Sequence, residues 1–137
     1  IDLVRGLKGT PAAIVAEYAE IFKSYRISAV TGDRYAGSWP ADEFRKHGIR
    51  FDHADKSKSD LYVDVLPLIN SEKLELPPLE KLINQFANLE RRTGRSGKDS
   101  IDHPSGGHDD LANAVAGCSA LCKKPKPVTN IKMSFAT

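Results

Sequence analysis

Hydrophobic positions recur along the chain in two rhythms. Ile14, Val15, Tyr18, Ile21, Phe22 and Tyr25 follow helical spacing, which predicts a helix over residues 11–25 with one buried face. Thr10-Pro11 opens it: threonine caps, and proline at the first position gives up only an N–H that has no helical partner. Ile27 to Thr31 is short and β-branched, a buried strand, and it ends in the glycine-flanked loop Gly32-Asp33-Arg34-Tyr35-Ala36-Gly37. Pro40 to His47 is a second helix, closed by Gly48, and Ile49 to His53 is a further strand. Ile1 to Val4 also has strand character.

Ser57-Lys58-Ser59-Asp60 reads as a capping box ahead of Leu61, Tyr62, Val65, Leu66 and Ile69. Pro67 falls inside that helix and is expected to kink or shorten it. Leu74-Glu75-Leu76 reads as a short strand stopped by Pro77-Pro78. Leu79, Leu82, Ile83, Phe86 and Leu89 form another amphipathic helix. Residues 90–107 are polar and glycine-rich, with a hairpin expected to turn at Gly94–Gly97. A last helix runs from Leu111 to Cys122. Strands alternating with helices predict an α/β architecture.

The length, 137 residues, allows one domain with a buried core. No apolar run approaches the roughly 20 residues of a membrane helix. The N-terminus has neither an initiator methionine nor a signal-peptide pattern, and reads as a chain entered mid-domain. The net charge of +2 selects no partner by itself. Its distribution says more. Lys123, Lys124, Lys126 and Lys132 stand in an acid-free tail; without them the chain sums to −2. Cys118 and Cys122 lie four apart in an Ala-rich helix. That spacing is a poor disulfide or zinc signature, so reduced core thiols and a reducing compartment are expected.

Two acidic positions carry candidate chemistry. Asp33 lies just past a buried strand, where open α/β sheets place functional groups; a plain turn aspartate is the competing reading. Asp109 and Asp110 open the last helix, where an acidic first turn suits the dipole. The following turn, Leu111 to Ala116, is almost wholly apolar, so that helix packs tightly. Carboxylates at its mouth are well placed to share a hard cation such as magnesium or manganese. His108 stands just before the helix, where a local hydrogen-bonding role competes with contact to a phosphate. Arg91, Arg92, Arg95 and Lys98 cluster in the polar segment, either as a solvated loop or as a basic finger on backbone phosphates. Lys56 and Lys58 form a smaller cluster of the same kind.

Val30-Thr31-Gly32-Asp33-Arg34-Tyr35-Ala36-Gly37, followed by Gly107-His108-Asp109-Asp110-Leu111-Ala112-Asn113-Ala114-Val115-Ala116, resembles the nuclease domain of tailed-phage terminase large subunits. Ser57-Lys58-Ser59-Asp60-Leu61-Tyr62 and Leu89-Glu90-Arg91-Arg92-Thr93 fit the same pattern, and the resemblance spans residues 3–121. It implies an RNase H-like mixed β-sheet flanked by helices over residues 1–122, followed by a basic tail, 123–137. It also implies a metal-dependent endonuclease that cuts concatemeric viral double-stranded DNA. Asp33 matches the family's second acidic ligand and Asp110 the third, with Asp109 a further ligand or a supporting group. Magnesium or manganese, two ions in the complete site, is the implied cofactor. An ATPase motor domain, a terminase small subunit and a portal are the implied partners, in the host cytoplasm and transiently on the procapsid, with no membrane involved.

The family's first acid, on the first strand of its sheet, has no match here. Asp2 stands on the wrong strand, so the first strand and its Asp are expected upstream of Ile1, and the chain alone is expected to cleave poorly. A RuvC-like Holliday-junction resolvase shares the acidic site and would prefer four-way junctions. A non-catalytic RNase H-like DNA-binding module would bind DNA with or without magnesium and never nick it. A metabolic α/β domain is disfavoured by the absence of Rossmann or Walker glycine patterns.

Overall fold

The structure, a computed structural model, describes residues 1 and 3–122. The order of elements is α1 (Pro11–Ser24), β1 (Ala29–Gly32), α2 (Trp39–Lys46), β2 (Arg50–His53), α3 (Lys58–Asn70), α4 (Glu80–Ala87), β3 (Glu90–Thr93), β4 (Asp99–Asp102) and α5 (Asp110–Cys122). β1 and β2 pair in parallel, joined by a crossover through α2. β3 and β4 form an antiparallel hairpin, with Arg91 opposite Ile101. Among the described residues the strands thus form two separate two-stranded sheets, and helices supply most of the packing.

Local sequence accounts for most element ends. Thr10 Oγ1 accepts the Ala13 N–H, and Pro11 stands at the first position of α1. Ser57 caps α3 as its spacing predicts, accepting the Asp60 N–H while its hydroxyl donates to Asp60 Oδ2 at 2.6 Å. Gly48 follows α2 with φ +75°, the left-handed conformation that closes a helix cheaply only with glycine. The hairpin turns between Gly94 and Lys98, whose backbones bond at 2.9 Å.

The core has three parts. Val15 and Ala19 of α1, Phe44 of α2 and Ile49 pack with Val30 and Phe51 of the parallel pair. Leu61, Tyr62 and Val65 of α3 meet Ile101 of β4 and Ala112 and Ala116 of α5. Leu82 of α4 meets Leu111 and Val115 of α5, with Ile1 and Val4 against them. The small side chains Ala112 and Ala116, fully buried, let α5 lie close to α3.

Three expectations fail, and a fourth, at Pro67, fails in part. Ile1, Leu3 and Val4 are not in a strand; Ile1 and Val4 instead bury against α4 and α5, and the N-terminal amine donates to the Glu75 carbonyl at 3.2 Å. Leu74–Leu76 is not a strand either, because Leu74 and Leu76 are also drawn into the helical clusters. Pro67 does not shorten α3, which runs on to Asn70. The carbonyl it leaves unbonded belongs to Val63, on the exposed face, where water can take its place. Cys118 and Cys122 are exposed, not core, because α5 turns Leu111, Ala112, Val115, Ala116 and Ser119 inward instead. Asp2 and the basic tail, 123–137, lie outside the described residues. No helix among the described residues is long and apolar enough to cross a membrane.

Candidate functional site

The segment from Ser57 to Tyr62 works residue by residue. Ser57 caps α3. Lys58, next in line, sends its ammonium to Asp102 Oδ1 at 2.5 Å and to Asp109 Oδ2 at 3.1 Å. Ser59 Oγ accepts the Ile101 N–H at 2.9 Å, and Asp60 holds Ser57. Leu61 and Tyr62 enter the core. The start of α3 is thereby tied to the end of β4 and to the mouth of α5. A lysine in the first helical turn opposes the helix dipole, so the two carboxylates hold Lys58 there against it.

Asp109 is the buried member of the acidic pair, 5% exposed, whereas Asp110 is exposed. Asp109 Oδ2 accepts the Tyr62 hydroxyl at 2.8 Å as well as facing Lys58. Burial first, and then Asp109, push the Tyr62 phenol far above its ordinary range, so it stays a neutral donor. Burial works to lower the Lys58 ammonium, but its hydrogen bonds to Asp102 and Asp109 outweigh that and raise it. Lys58 in turn holds the Asp102 carboxyl below its usual range, against a smaller opposing effect of burial.

Asp102, His103 and Asp109 each offer a ligand atom, all within 4.8 Å of one another. His103 Nδ1 lies 2.8 Å from the Pro104 carbonyl, which can only accept, and Nε2 lies 3.7 Å from Asp102 Oδ1; in the neutral ring that carbonyl favours the proton on Nδ1 and leaves Nε2 to offer a lone pair. The two carboxylates suit a hard divalent cation, the imidazole adds a borderline nitrogen donor, and the Lys58 ammonium shows that a cation is held between the two acids.

Asp33 lies at the C-terminal end of β1, as the sequence predicts, and is exposed. Its carboxylate accepts the Tyr35 N–H at 3.0 Å, an Asx turn that fixes its direction. His53 Nδ1 approaches the Asp33 carbonyl at 3.2 Å, and the Arg34 guanidinium donates to the Asp55 carbonyl at 3.1 Å. The loop is therefore anchored to the end of β2. A cleft of about 860 Å³ opens beside it, where the ends of β1 and β2 face α3 and α5. Asp33 and Asp110 are not members of the three-residue cluster around Asp109.

The basic residues divide. Arg91 pairs with Asp99 at 2.8 Å and Arg92 with Glu90 at 2.6 Å, both within the hairpin. Lys56 pairs with Asp64 at 2.5 Å, and Lys58 is committed to the acids. Arg95 and Lys98 stand exposed at the hairpin turn. His108 is exposed and lines a groove of about 420 Å³ with His103, Lys81, Asn84 and Gln85.

Sequence reasoning did not single out Tyr62, Gln85, Asp102 or His103 as site residues. The one readable signal was Gln85, a polar residue three after Leu82 on an apolar helix face.

No family model matches the sequence, and no curated protein does either. The fold does have solved counterparts. The large terminase nuclease from the thermophilic phage G20c superposes with a TM-score of 0.72 at 22% identity, over 85% of this chain and 64% of that one. Its structures with bound cobalt and with bound magnesium each superpose with a TM-score of 0.69 at 21% identity, over 82% of this chain and 62% of the other. The chain thus spans just under two thirds of the length of that nuclease. At this identity the likeness establishes architecture: the chain shares the RNase H-like fold of the G20c large terminase nuclease.

Proposed function

We propose that the chain is a metal-dependent endonuclease domain that cuts concatemeric viral double-stranded DNA during genome packaging. The observation that carries this reading is the fold likeness to a large terminase nuclease over 85% of the chain. Acidic residues standing at the end of β1 and the start of α5 support it.

Asp33, Asp110 and Asp109 are the proposed metal ligands, and Asp102 and His103 extend the donor set beside Asp109. The carboxylate donors fit magnesium or manganese, and the phage G20c large terminase nuclease is seen with bound cobalt and with bound magnesium. Two such ions, when bound, supply an activated water and offset charge on the phosphate. The chain's own residues do the positioning. The Tyr35 N–H aims the Asp33 carboxylate. Tyr62 and Lys58 hold the Asp109 carboxyl group in place inside the fold. Asp110 sits at the positive end of the α5 dipole, open to a substrate.

His108, in the groove before α5, is a proposed auxiliary contact. Arg95 and Lys98 are the hairpin residues best free to meet phosphates. Arg91, Arg92, Lys56 and Lys58 reach DNA only by exchanging their present carboxylate partners. An ATPase motor, a small subunit and a portal remain the proposed partners, with action in the host cytoplasm.

The test is plasmid cleavage with manganese. In a domain extended upstream through the expected first strand, Asp33→Asn and Asp110→Asn should each abolish nicking while circular dichroism stays unchanged. The 1–137 chain at equal concentration should nick poorly. Preference for four-way junctions over linear duplex would assign a resolvase. Binding without any nicking, equal with and without magnesium, would assign a non-catalytic module.

A further inference from the structure

The N-terminus of α5 is capped from another helix. Asp109 is its N-cap residue by backbone geometry, since its carbonyl accepts the Asn113 N–H at 2.8 Å. An N-cap aspartate ordinarily turns its carboxylate onto the N–H groups two and three residues ahead. Here those groups belong to Leu111 and Ala112, and both donate instead to Gln85 Oε1, at 2.9 and 3.0 Å. Gln85 comes from α4, is 7% exposed and stands beside the fully buried Leu82. One amide oxygen thus satisfies the two donors that the Asp109 side chain would otherwise take. The carboxylate is left to face Tyr62 and Lys58.

We infer that Gln85 is a positioning residue: by capping α5 from α4, it releases Asp109 from capping its own helix and turns that carboxylate into the cluster with Lys58, Tyr62 and Asp102. Without the amide oxygen, two buried N–H groups need an acceptor, and the side chain of the N-cap residue, Asp109, is the one that ordinarily supplies it. Swinging to cap them takes the carboxylate off Tyr62. The geometric part of this inference stands alone; its consequence for metal binding rests on the nuclease reading above.

The experiment uses the 137-residue chain with Gln85→Leu, which keeps bulk and loses the acceptor, and Gln85→Glu, which keeps an acceptor in reach. Gln85→Asn, one methylene shorter, serves if Gln85→Leu does not fold. The first readout is the Tyr62 hydroxyl proton by NMR, assigned by its loss in Tyr62→Phe. It should shift or vanish in Gln85→Leu and persist in Gln85→Glu. The second is the manganese dissociation constant by electron paramagnetic resonance. It should weaken about ten-fold in Gln85→Leu, the scale of a lost ligand-orienting contact, and recover in Gln85→Glu. A lower melting temperature with an unmoved Tyr62 signal would overturn the inference and leave Gln85 an ordinary cap. A Tyr62 signal that moves while manganese binding ignores both Gln85→Leu and Asp109→Asn would uphold the Gln85 geometry and remove Asp109 from the metal site.

Discussion

Tyr62 and Asp109, 47 residues apart, share a 2.8 Å O–H···O bond inside the fold. The phenol is fully buried and the carboxylate nearly so. A buried carboxylate is costly unless its oxygens find donors, and Asp109 has this hydroxyl and the Lys58 ammonium. The bond therefore joins α3 to the mouth of α5 and, together with Lys58, gives the buried carboxyl group its donors.

Tyr62→Phe keeps the ring and removes that donor. It should destabilise the chain by about 1–3 kcal/mol, the cost of leaving a buried acceptor short of a partner. Urea unfolding followed by circular dichroism measures it. An unchanged midpoint would mean that water replaces the hydroxyl.

Gly32 is required by its neighbour. A Cβ there would overlap the Phe51 ring, which is stacked on Phe44 at 5.8 Å and edge-on to His53 at 5.4 Å, so it has little room to turn. Gly32→Ala should cost about 1–3 kcal/mol, the range for overpacked cores. Adding Phe51→Leu should recover part of the loss. Thermal unfolding of the single and double variants checks this, and equal losses in both would place the strain elsewhere.

The hairpin carries Arg91, Arg92, Arg95 and Lys98 against Glu90, Asp99 and Asp102, so its charge is close to balanced. If it touches DNA, the residues without an acid in the hairpin should dominate. Replacing Arg95 and Lys98 by Gln should reduce the salt slope of duplex binding by about 0.9 per lost phosphate contact. Replacing Arg91 and Arg92 should change it less, because each already holds a carboxylate. Fluorescence anisotropy over a salt series decides, and equal effects of the two pairs would contradict the division.

Asp99 titrates below the ordinary aspartate range, chiefly because the Thr93 hydroxyl donates to it, against a smaller effect of burial, with Arg91 adding to the lowering. A carboxyl depressed in the folded state stabilises above its unfolded value and loses that contribution as pH falls through its folded value. The hairpin should therefore loosen below pH about 4, where an unperturbed aspartate protonates. Asp99→Asn should remove that acid step. Amide exchange at the β3–β4 backbone pairs reports it, and an identical acid step in the variant would assign it to another group.

Sequence alone determined the features that depend on neighbours within a turn or two. Helical spacing together with proline, glycine and capping signals located all five helices, the Ser57 capping box is formed, and the glycines around residues 94–97 do turn a hairpin. The end of β1, and with it the place of Asp33, was equally legible, because a β-branched run followed by glycine is a local signal. Ile1–Val4 and Leu74–Leu76 looked like strands by the same local criterion. A strand needs a partner, and the apolar side chains of both segments found helices instead. The site around Asp109 was beyond local reading for a stronger reason. Which of two adjacent aspartates is buried depends on Tyr62 and Lys58, brought from α3, and on Gln85, brought from α4. Asp102 and His103 join them only because Ser59 and Lys58 dock the end of β4 onto α3. Hydrogen bonds between residues 26 to 47 positions apart are decided by how the helices pack, and only the tertiary structure specifies that.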